Sequence, residues 1–284
     1  MEAIDVVIHC LHKKITDEIV MTIRRGPKGF GILLKLKLLL YATLTEIFST
    51  RELIKHLQKR PQIAQQLGFL VIPTRRTVDR WKRSIAYELQ QVVRIIGNRY
   101  LRLNGSEWTI LDSTPLVDEQ DPDATVGYNS QGQFIGFKLH MSCDEYEVPL
   151  RAIVPEAHVH DSQKAEQLFA STSKGGADAA YDSKEIKKKA KERGMKLITT
   201  HNPRRLGKAQ KKKTPKILKL MRVIIEQCNG FVKSKVMKHA WTLLKGLNAK
   251  TVFALTAVLA VQGLALYNLV HFGYPSIRIQ EVRI

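Results

Sequence analysis

The sequence has few cysteines, and no two of them have the close spacing of a metal-binding or disulfide motif. The three residues, Cys10, Cys143 and Cys228, are far apart along a chain of 284 residues. They therefore predict neither a disulfide framework nor a cysteine-based zinc module, and a reducing cytosol suits this composition. The N-terminus also lacks the basic start, apolar run and small-residue cleavage site of a secretory signal. We therefore expect a cytoplasmic protein.

Acidic residues are also scarce relative to basic ones. The chain has 46 lysine and arginine residues against 26 aspartate and glutamate residues, which gives a formal net charge of +20. Such an excess indicates a polyanionic partner, with nucleic acid as the first expectation and a membrane surface as the second. With 44% hydrophobic residues, the chain can bury a substantial core in two domains, or in one domain with an appendage.

Residues 1–104 are predicted to form a helical region that binds DNA. A dense apolar run and a capping box at residues 49–52 each predict a helix, and a short helix then precedes a long one that opens at residues 73–74. A short helix, a turn and a basic second helix form the geometry of helix-turn-helix DNA binding, although a plain solvated face is the alternative. The arginines expected to contact DNA are Arg75, Arg76, Arg80 and Arg83.

From residue 105 to residue 284 the pattern changes to alternating strands and helices. Three strands, then helix, strand, helix and strand is the element order of the ribonuclease H-like fold, an α/β fold with a mixed sheet flanked by helices. Asp161 and Ser162 are expected to cap the first of these helices, and the acidic stretch 118–123 is expected to be a solvated loop. The predicted strands are residues 108–111, 134–143, 148–154, 175–181 and 196–199.

Two aspartates beside predicted strands are the first candidate site residues. Asp112 follows apolar strand residues, where a carboxylate is costly to bury unless a cation or a substrate offsets that cost. Capping is the alternative, because Asp-Ser-Thr-Pro is also turn chemistry. Asp178 lies among glycine and alanine, where an ion has room to approach, whereas Asp182 is expected to cap the next helix.

A helix predicted at residues 219–233 supplies a third carboxylate. At about 100° per residue, Arg222, Glu226 and Lys233 share one face of this helix, although an intrahelical Arg222–Glu226 pair is the alternative. Residues 202–216, just before it, are basic and contain no acid, which favours salt-sensitive, sequence-independent contacts with a DNA backbone. The basic residues selected in that loop are Arg204, Arg205, Lys211, Lys212 and Lys213.

Together these motifs resemble those of DDE transposases from prokaryotic insertion sequences, closest to the related insertion-sequence families numbered four and five. The family's first aspartate matches Asp112, and its Asp-x-Gly/Ala-Tyr/Phe motif matches residues 178–181. Its Tyr-x2-Arg-x3-Glu-x6-Lys signature matches residues 219–233, except that Lys219 replaces the tyrosine. Residues 136–140 and 160–162 are supporting matches.

The resemblance implies an enzyme that cleaves DNA at the ends of the element and transfers the cut strand into target DNA. Asp112, Asp178 and Glu226 would hold two Mg²⁺ ions, for which Mn²⁺ can substitute, because hard cations prefer oxygen ligands. Double-stranded DNA with terminal inverted repeats would be the partner, bound by a homodimer or a larger assembly. The location would be the cytoplasm of a prokaryote, in association with the nucleoid.

The same resemblance gives supporting roles to four further residues. Arg222 and Lys233 would bind phosphates near the element's end. His140 and Tyr181 are candidate supporting residues, although a histidine satisfied within a strand is the alternative for His140.

Other function classes stay open at this point. One is a ribonuclease H-like nuclease or resolvase that cuts without joining, and another is a catalytically inactive element remnant that only binds DNA. The uncharged segment 251–270 is long enough to span a bilayer, but its polar residues favour a buried helix and no membrane partner.

Overall fold

The computed structural model describes residues 30–129, 131–201, 214–275 and 277. Within them, a series of helices precedes a mixed sheet that is flanked by further helices, so the predicted α/β fold with a mixed sheet and flanking helices is confirmed. The helices of the first region are α1 (Ile32–Leu44), α2 (Thr50–Lys59), α3 (Pro61–Gln66), α4 (Arg75–Ser84) and α5 (Ala86–Asn104).

The second region contains six described strands and four described α-helices. The strands are β1 (Trp108–Val117), β2 (Thr125–Asn129), β3 (Gly132–Cys143), β4 (Pro149–Ile153), β5 (Lys174–Ala177) and β6 (Lys196–Thr199). The helices are α6 (Ala165–Leu168), α7 (Lys184–Glu192), α8 (Lys216–Gly230) and α9 (Leu247–Phe272). Short 3₁₀ turns occur at Asp161–Gln163, Ala179–Tyr181 and Ala240–Leu243, and a π-helical turn follows α8 at Phe231–Val236.

Strand β1 lies at the centre of the sheet. The strand order is β2-β3-β1-β5-β6, with β4 paired to β3, so that β1 is antiparallel to β3 and parallel to β5. The parallel pairing with β5 ends at Leu111 and Ala177, whereas β1 continues beside β3 as far as Val117. The next residues after the separation are Asp112 and Asp178, which places both at the point where β1 and β5 part.

Consecutive residues of β1 pack against the two faces of the sheet, as the alternation of side chains in a strand requires. Ile110 joins a hydrophobic cluster that contains residues of α1 to α5, β3, β4, α8 and α9. Leu111 joins a second cluster formed with residues of α6 and α7. Both are at most 2% exposed, so the strand leading to Asp112 is buried on both faces, as its apolar sequence predicts.

Helix α9 is a core helix that contacts α5, α1, α4 and β4. Among the described residues it is the one helix long and apolar enough to cross a bilayer, and 83% of its apolar window is buried within the protein. A helix buried in a core meets the same criteria of length and composition, because both environments exclude polar side chains.

The long helix predicted to begin after residue 74 is two helices, α4 and α5. They meet at Ile85, whose φ of −104° and ψ of 22° interrupt the helical path. Neither proline nor glycine lies near the break, which is why the sequence did not reveal it. Ile85 is 2% exposed, so the change of direction coincides with burial of its side chain in the core, where packing outweighs helix propensity.

The acidic stretch 118–123 is solvated only in part: Glu119 and Asp123 are exposed as predicted, but Asp118 and Asp121 are buried, so for them the prediction was wrong. The carboxylates of Asp118 and Asp121 lie 2.7 and 3.0 Å from Nζ of Lys250, and all three side chains are at most 4% exposed. The ammonium also donates hydrogen bonds to the carbonyl oxygens of Trp241 and Leu244. Because Lys250 is 132 residues from Asp118, no local sequence pattern could show this partner.

Gly97 lies in the interior of α5, where alanine would ordinarily strengthen a helix. A Cβ atom there would lie 2.3 Å from the carbonyl oxygen of Leu150 and 3.0 Å from Nη1 of Arg151. We therefore expect Gly97→Ala to lower the free energy of unfolding by about 1–3 kcal/mol, the usual cost of overpacking. Urea denaturation measures this change.

Gly230→Ala is the matched control, because position 230 has helical dihedrals and no atom of the described residues outside its own helical turn would come within 4 Å of its Cβ. It should be neutral or stabilising by about 0.5–1 kcal/mol. Stabilisation of both variants to the same extent would contradict the close approach of α5 to β4.

Candidate active site

Asp112 lies in the middle of β1, not at the strand's end as predicted, but at the end of the pairing with β5. Its Oδ2 accepts a hydrogen bond of 3.1 Å from Nδ2 of Asn229. Partial burial raises the pKa of Asp112 to about 7; the Ser113 N–H opposes this, and the carboxylates of Asp178 and Asp161 raise the pKa further. Near neutral pH this carboxyl group is therefore only partly ionised when no cation is bound.

Asp178 follows β5 and opens a turn, whereas the sequence predicted that the strand would continue to residue 181. Its Oδ1 accepts a hydrogen bond of 2.9 Å from the Ala180 N–H and so caps the turn Ala179–Tyr181. The expectation that Asp178 has no capping role was wrong. Partial burial raises the pKa of Asp178, the Ala180 N–H lowers it, and the Asp161 carboxylate raises it.

Asp182 has a structural role, although not the helix cap that was predicted. Its Oδ1 lies 2.5 Å from Nζ of Lys187 and accepts a hydrogen bond of 3.0 Å from Oγ1 of Thr199. The residue before α7 is Ser183, whose side chain forms no capping hydrogen bond.

Asp161 is a third carboxylate at this site, and the sequence had assigned it only to a cap. Its Oδ2 accepts a hydrogen bond of 2.7 Å from Oγ of Ser113, and its Oδ1 accepts one of 3.0 Å from Nζ of Lys138. Its negative charge raises the pKa of both Asp112 and Asp178, so it lies close enough to interact electrostatically with both. The signal for it was the supporting match at residues 160–162.

The residues predicted to share one face of α8 do not form the expected set of metal ligands. Nη2 of Arg222 lies 3.3 Å from Oε1 of Glu226, and the two side chains are 65% and 57% exposed, which is the intrahelical pair kept as the alternative. Arg222 also lowers the pKa of Asp112 and of Asp178, which places its positive charge at the site. The structure therefore brings Asp112 and Asp178 together, whereas the Glu226 carboxylate is ion-paired with Arg222.

Asn229 is the α8 residue that reaches Asp112, and the sequence analysis missed it. It lies three residues after Glu226 and four before Lys233, a spacing that places it on the same helix face. The helix is not broken at Gly230, since the chain continues there with helical dihedrals into the π-helical turn. Nζ of Lys233 then donates to Oγ1 of Thr114 at 3.1 Å and to the carbonyl oxygen of Pro115 at 2.8 Å. Burial lowers the pKa of Lys233.

His140 and Tyr181 are buried next to these carboxylates. Nε2 of His140 lies 3.9 Å from Oδ1 of Asp161, and burial lowers the pKa of His140 to about 4, so its ring is neutral at pH 7. Burial also raises the pKa of Tyr181 well above its usual range, and the carboxylates of Asp161, Asp112 and Asp178 add to that rise. Among the residues that the structure describes, neither ring nitrogen of His140 nor the Tyr181 hydroxyl has a hydrogen-bond partner, so buried polar atoms beside the aspartates are unsatisfied.

The donor set suits a divalent cation in chemical type and charge but is incomplete in number. Asp112 and Asp178 offer carboxylate oxygens, the ligands that Mg²⁺ prefers. A bound cation would offset the burial and the neighbouring carboxylate charge that raise both pKa values. Within the described ranges, however, no group of three or more His, Cys, Asp or Glu side chains is placed to hold one ion. Glu226 completes the predicted set only if its side chain leaves Arg222.

The predicted DNA-contacting arginines of α4 form an exposed row. Together with Asp79 and Ser84 they line an open groove of about 660 Å³. Among the described residues, Arg75 is the one arginine of this groove with an acidic partner, Asp79 at 3.5 Å. The selected residues of the basic loop lie outside the described residues. They are Arg204, Arg205, Lys211, Lys212 and Lys213.

The comparison with known families bears on this arrangement of carboxylates. Residues 121–241 match the Transposase DDE domain family. The DDE-domain match spans less than half of the chain; it includes Asp161, Asp178 and Glu226 and begins after Asp112. No curated protein matches the sequence. Among solved structures, a piggyBac transposase synaptic complex with hairpin DNA is similar to the chain at 11% identity and a TM-score of 0.44, covering 96% of this chain and 76% of that one.

Proposed function

We propose that this protein is a DDE transposase that cleaves DNA at the ends of a prokaryotic insertion sequence and joins the cut strand to target DNA. The observation that carries this proposal is the meeting of Asp112, Asp178 and Asp161 where β1 and β5 separate. The DDE-domain match over residues 121–241 supports it. The central β1 strand, antiparallel to β3 and parallel to β5, supports a ribonuclease H-like fold.

Asp112 and Asp178 would hold a divalent cation, Mg²⁺ or Mn²⁺, and Glu226 would join them in a two-ion site. When bound, such cations supply an activated water or DNA 3′-hydroxyl and charge neutralisation for an in-line displacement at phosphorus. The chain's own residues prepare this site. Asn229 fixes the orientation of the Asp112 carboxylate by its hydrogen bond to Oδ2.

Positively charged side chains around the carboxylates suit a phosphodiester substrate. Arg222 presents a guanidinium beside the two aspartates, and its exposure leaves donors available to phosphate oxygens. Lys233 holds the π-helical turn against β1, so we propose that it positions α8 as well as contributing charge. The exposed arginines of α4 and the basic loop would bind the terminal inverted repeats of double-stranded DNA in a cytoplasmic, nucleoid-associated homodimer or larger assembly.

The first test is cleavage of DNA that carries the element's own ends. We expect nicking by the unaltered protein only with Mg²⁺ or Mn²⁺, and a loss of at least about a hundredfold in Asp178→Asn, because about 3 kcal/mol of transition-state stabilisation would be removed. Asp182→Asn is the matched control, since its carboxylate is bonded to Lys187 and Thr199 and should not be needed for cleavage. Equal activity of Asp178→Asn and the unaltered protein would contradict the proposal.

Two further outcomes separate the alternative functions. Cleavage without strand transfer in the same reaction would favour a nuclease or resolvase, and DNA binding without any cleavage would favour an inactive element remnant. Glu226→Gln tests the third ligand directly: a loss as large as that of Asp178→Asn would support its place in the metal site, whereas retained cleavage would remove it.

A further inference from the structure

A second polar cleft is lined by none of the three aspartates of the candidate active site. It has a volume of about 990 Å³ and lies between α5, β4 and the segment that leads into β5. Residues 171–173 of its lining precede β5, whereas Asp178 follows that strand. A strand of this length spans about 13 Å, so the cleft is separate from the candidate active site.

Three arginines from different elements line this cleft: Arg94 of α5, Arg151 of β4 and Arg193, which follows α7. Arg193 is compensated, since its Nη2 lies 2.7 Å from Oε1 of Glu166. Arg94 and Arg151 have no carboxylate partner in the part of the chain that the structure describes. Glu166 is the one acidic residue in the lining and also contacts Lys189, so the cleft has an excess of positive charge.

The guanidinium of Arg151 is the most informative of the three because it is buried. The residue is 6% exposed, and its Nη1 donates to the carbonyl oxygen of Leu150 at 2.7 Å while Nη2 donates to Oδ1 of Asn98 at 2.5 Å. These acceptors are neutral, so they satisfy donors without balancing the charge. Burial lowers the pKa of Arg151 to about 10, and the nearby charges of Arg94 and Arg193 lower it further. A buried guanidinium with two exposed arginines of the same charge beside it is stabilised when an anion enters.

We propose that this cleft binds a phosphate group of the DNA backbone through Arg94, Arg151 and Arg193. Side-chain amides and hydroxyls at its rim supply further donors of the kind that contact phosphate oxygens. Those donors are Gln90, Gln91, Ser171 and Ser173. The DNA source rests on the proposed function, and a free phosphate compound shares the same chemistry.

The decisive variant is Arg94→Gln, because Arg94 is exposed and its replacement leaves the core intact, whereas Arg151 also ties β4 to α5. Arg102→Gln is the matched control: it removes the same charge from an exposed position of the same helix, away from the cleft. Fluorescence anisotropy of a labelled duplex of random sequence, across a series of KCl concentrations, measures binding. We expect Arg94→Gln to weaken binding roughly five- to tenfold and to reduce the salt slope by about one, with less than about a twofold change for Arg102→Gln.

A second measurement separates the two sources of phosphate. Inorganic phosphate, compared with KCl at equal ionic strength, should raise the thermal unfolding midpoint of the unaltered protein and of Arg102→Gln more than that of Arg94→Gln. That result with unchanged duplex affinity would assign the cleft to a free phosphate compound and overturn the DNA source. Equal behaviour of the two variants in both assays would overturn the site itself.

Failure of the proposed function would look different. A protein that binds the duplex through Arg94 but never cleaves it would contradict transposition and leave the phosphate cleft standing.

Discussion

Asp112→Asn is expected to lose DNA cleavage by about a thousandfold, and the same variant is expected to be more stable than the unaltered protein when no metal is present. The first effect follows from removing a charged metal ligand, which would cost about 4 kcal/mol of transition-state stabilisation. The second follows from the pKa of about 7 that partial burial and the neighbouring carboxylates give this residue.

The sign of the stability effect depends on pH. An unfolded chain releases the Asp112 proton near pH 4, whereas the folded protein keeps it up to about pH 7. The folded state therefore binds more protons between these values, and its stability falls as pH rises through them. Asparagine cannot ionise, so the stability of the variant does not fall with pH for this reason.

Three pKa units correspond to about 4 kcal/mol, and solvent screening of a half-buried group reduces this to roughly 2 kcal/mol. Thermal unfolding at pH 8 should then show a midpoint about 4–8 °C higher in Asp112→Asn. The difference should shrink at pH 5 and vanish in acid. Mg²⁺ should raise the midpoint of the unaltered protein more than that of the variant. A difference between the two proteins that is the same at pH 5 and pH 8 would contradict the assigned cause.

Lys250→Ala is expected to give the largest loss of stability. It leaves the carboxylates of Asp118 and Asp121 buried without their cation, and breaking such a pair costs about 3–5 kcal/mol. It also removes the hydrogen bonds that join the start of α9 to the carbonyl oxygens of Trp241 and Leu244. Thermal unfolding should show a midpoint lower by roughly 10 °C.

Lys245→Ala is the matched control for this effect. Its Nζ lies 3.4 Å from the same Asp118 carboxylate, but the lysine side chain is 47% exposed. Solvent-exposed pairs contribute at most about 1 kcal/mol, so Lys245→Ala should change the midpoint little. Similar losses in the two variants would show that burial of the Lys250 pair does not decide its contribution.

The sequence predicted those parts of the fold whose causes are local. Strand β6 was placed correctly at residues 196–199, and β3 and β4 within two residues, because their apolar and β-branched patterns are clear. The pairing of Arg222 with Glu226 across one turn of α8 also follows from helix geometry alone. The break at Ile85 and the burial of Asp118 could not be predicted, since each depends on packing partners that are distant in sequence.

The candidate site shows the same division. Asp112 and Asp178 were selected from their strands, and the structure places both where β1 and β5 separate. Asp161 was mistaken for a cap because its partners, Ser113 and Lys138, lie on other strands. Glu226 was chosen as a metal ligand for its helix face, whereas the structure shows the alternative that the same spacing offered, an ion pair with Arg222.

The packing of α9 also determines the order in which the protein can complete its fold during synthesis. This helix contacts α5, α1 and α4, all of which leave the ribosome before it does. The apolar faces of those helices therefore stay uncovered until α9 has been translated. Contacts so distant in sequence slow folding, and they lengthen the time in which exposed apolar surface can aggregate or bind chaperones. A ribosome that stalls before residue 247 would release a chain whose N-terminal helices cannot close their core.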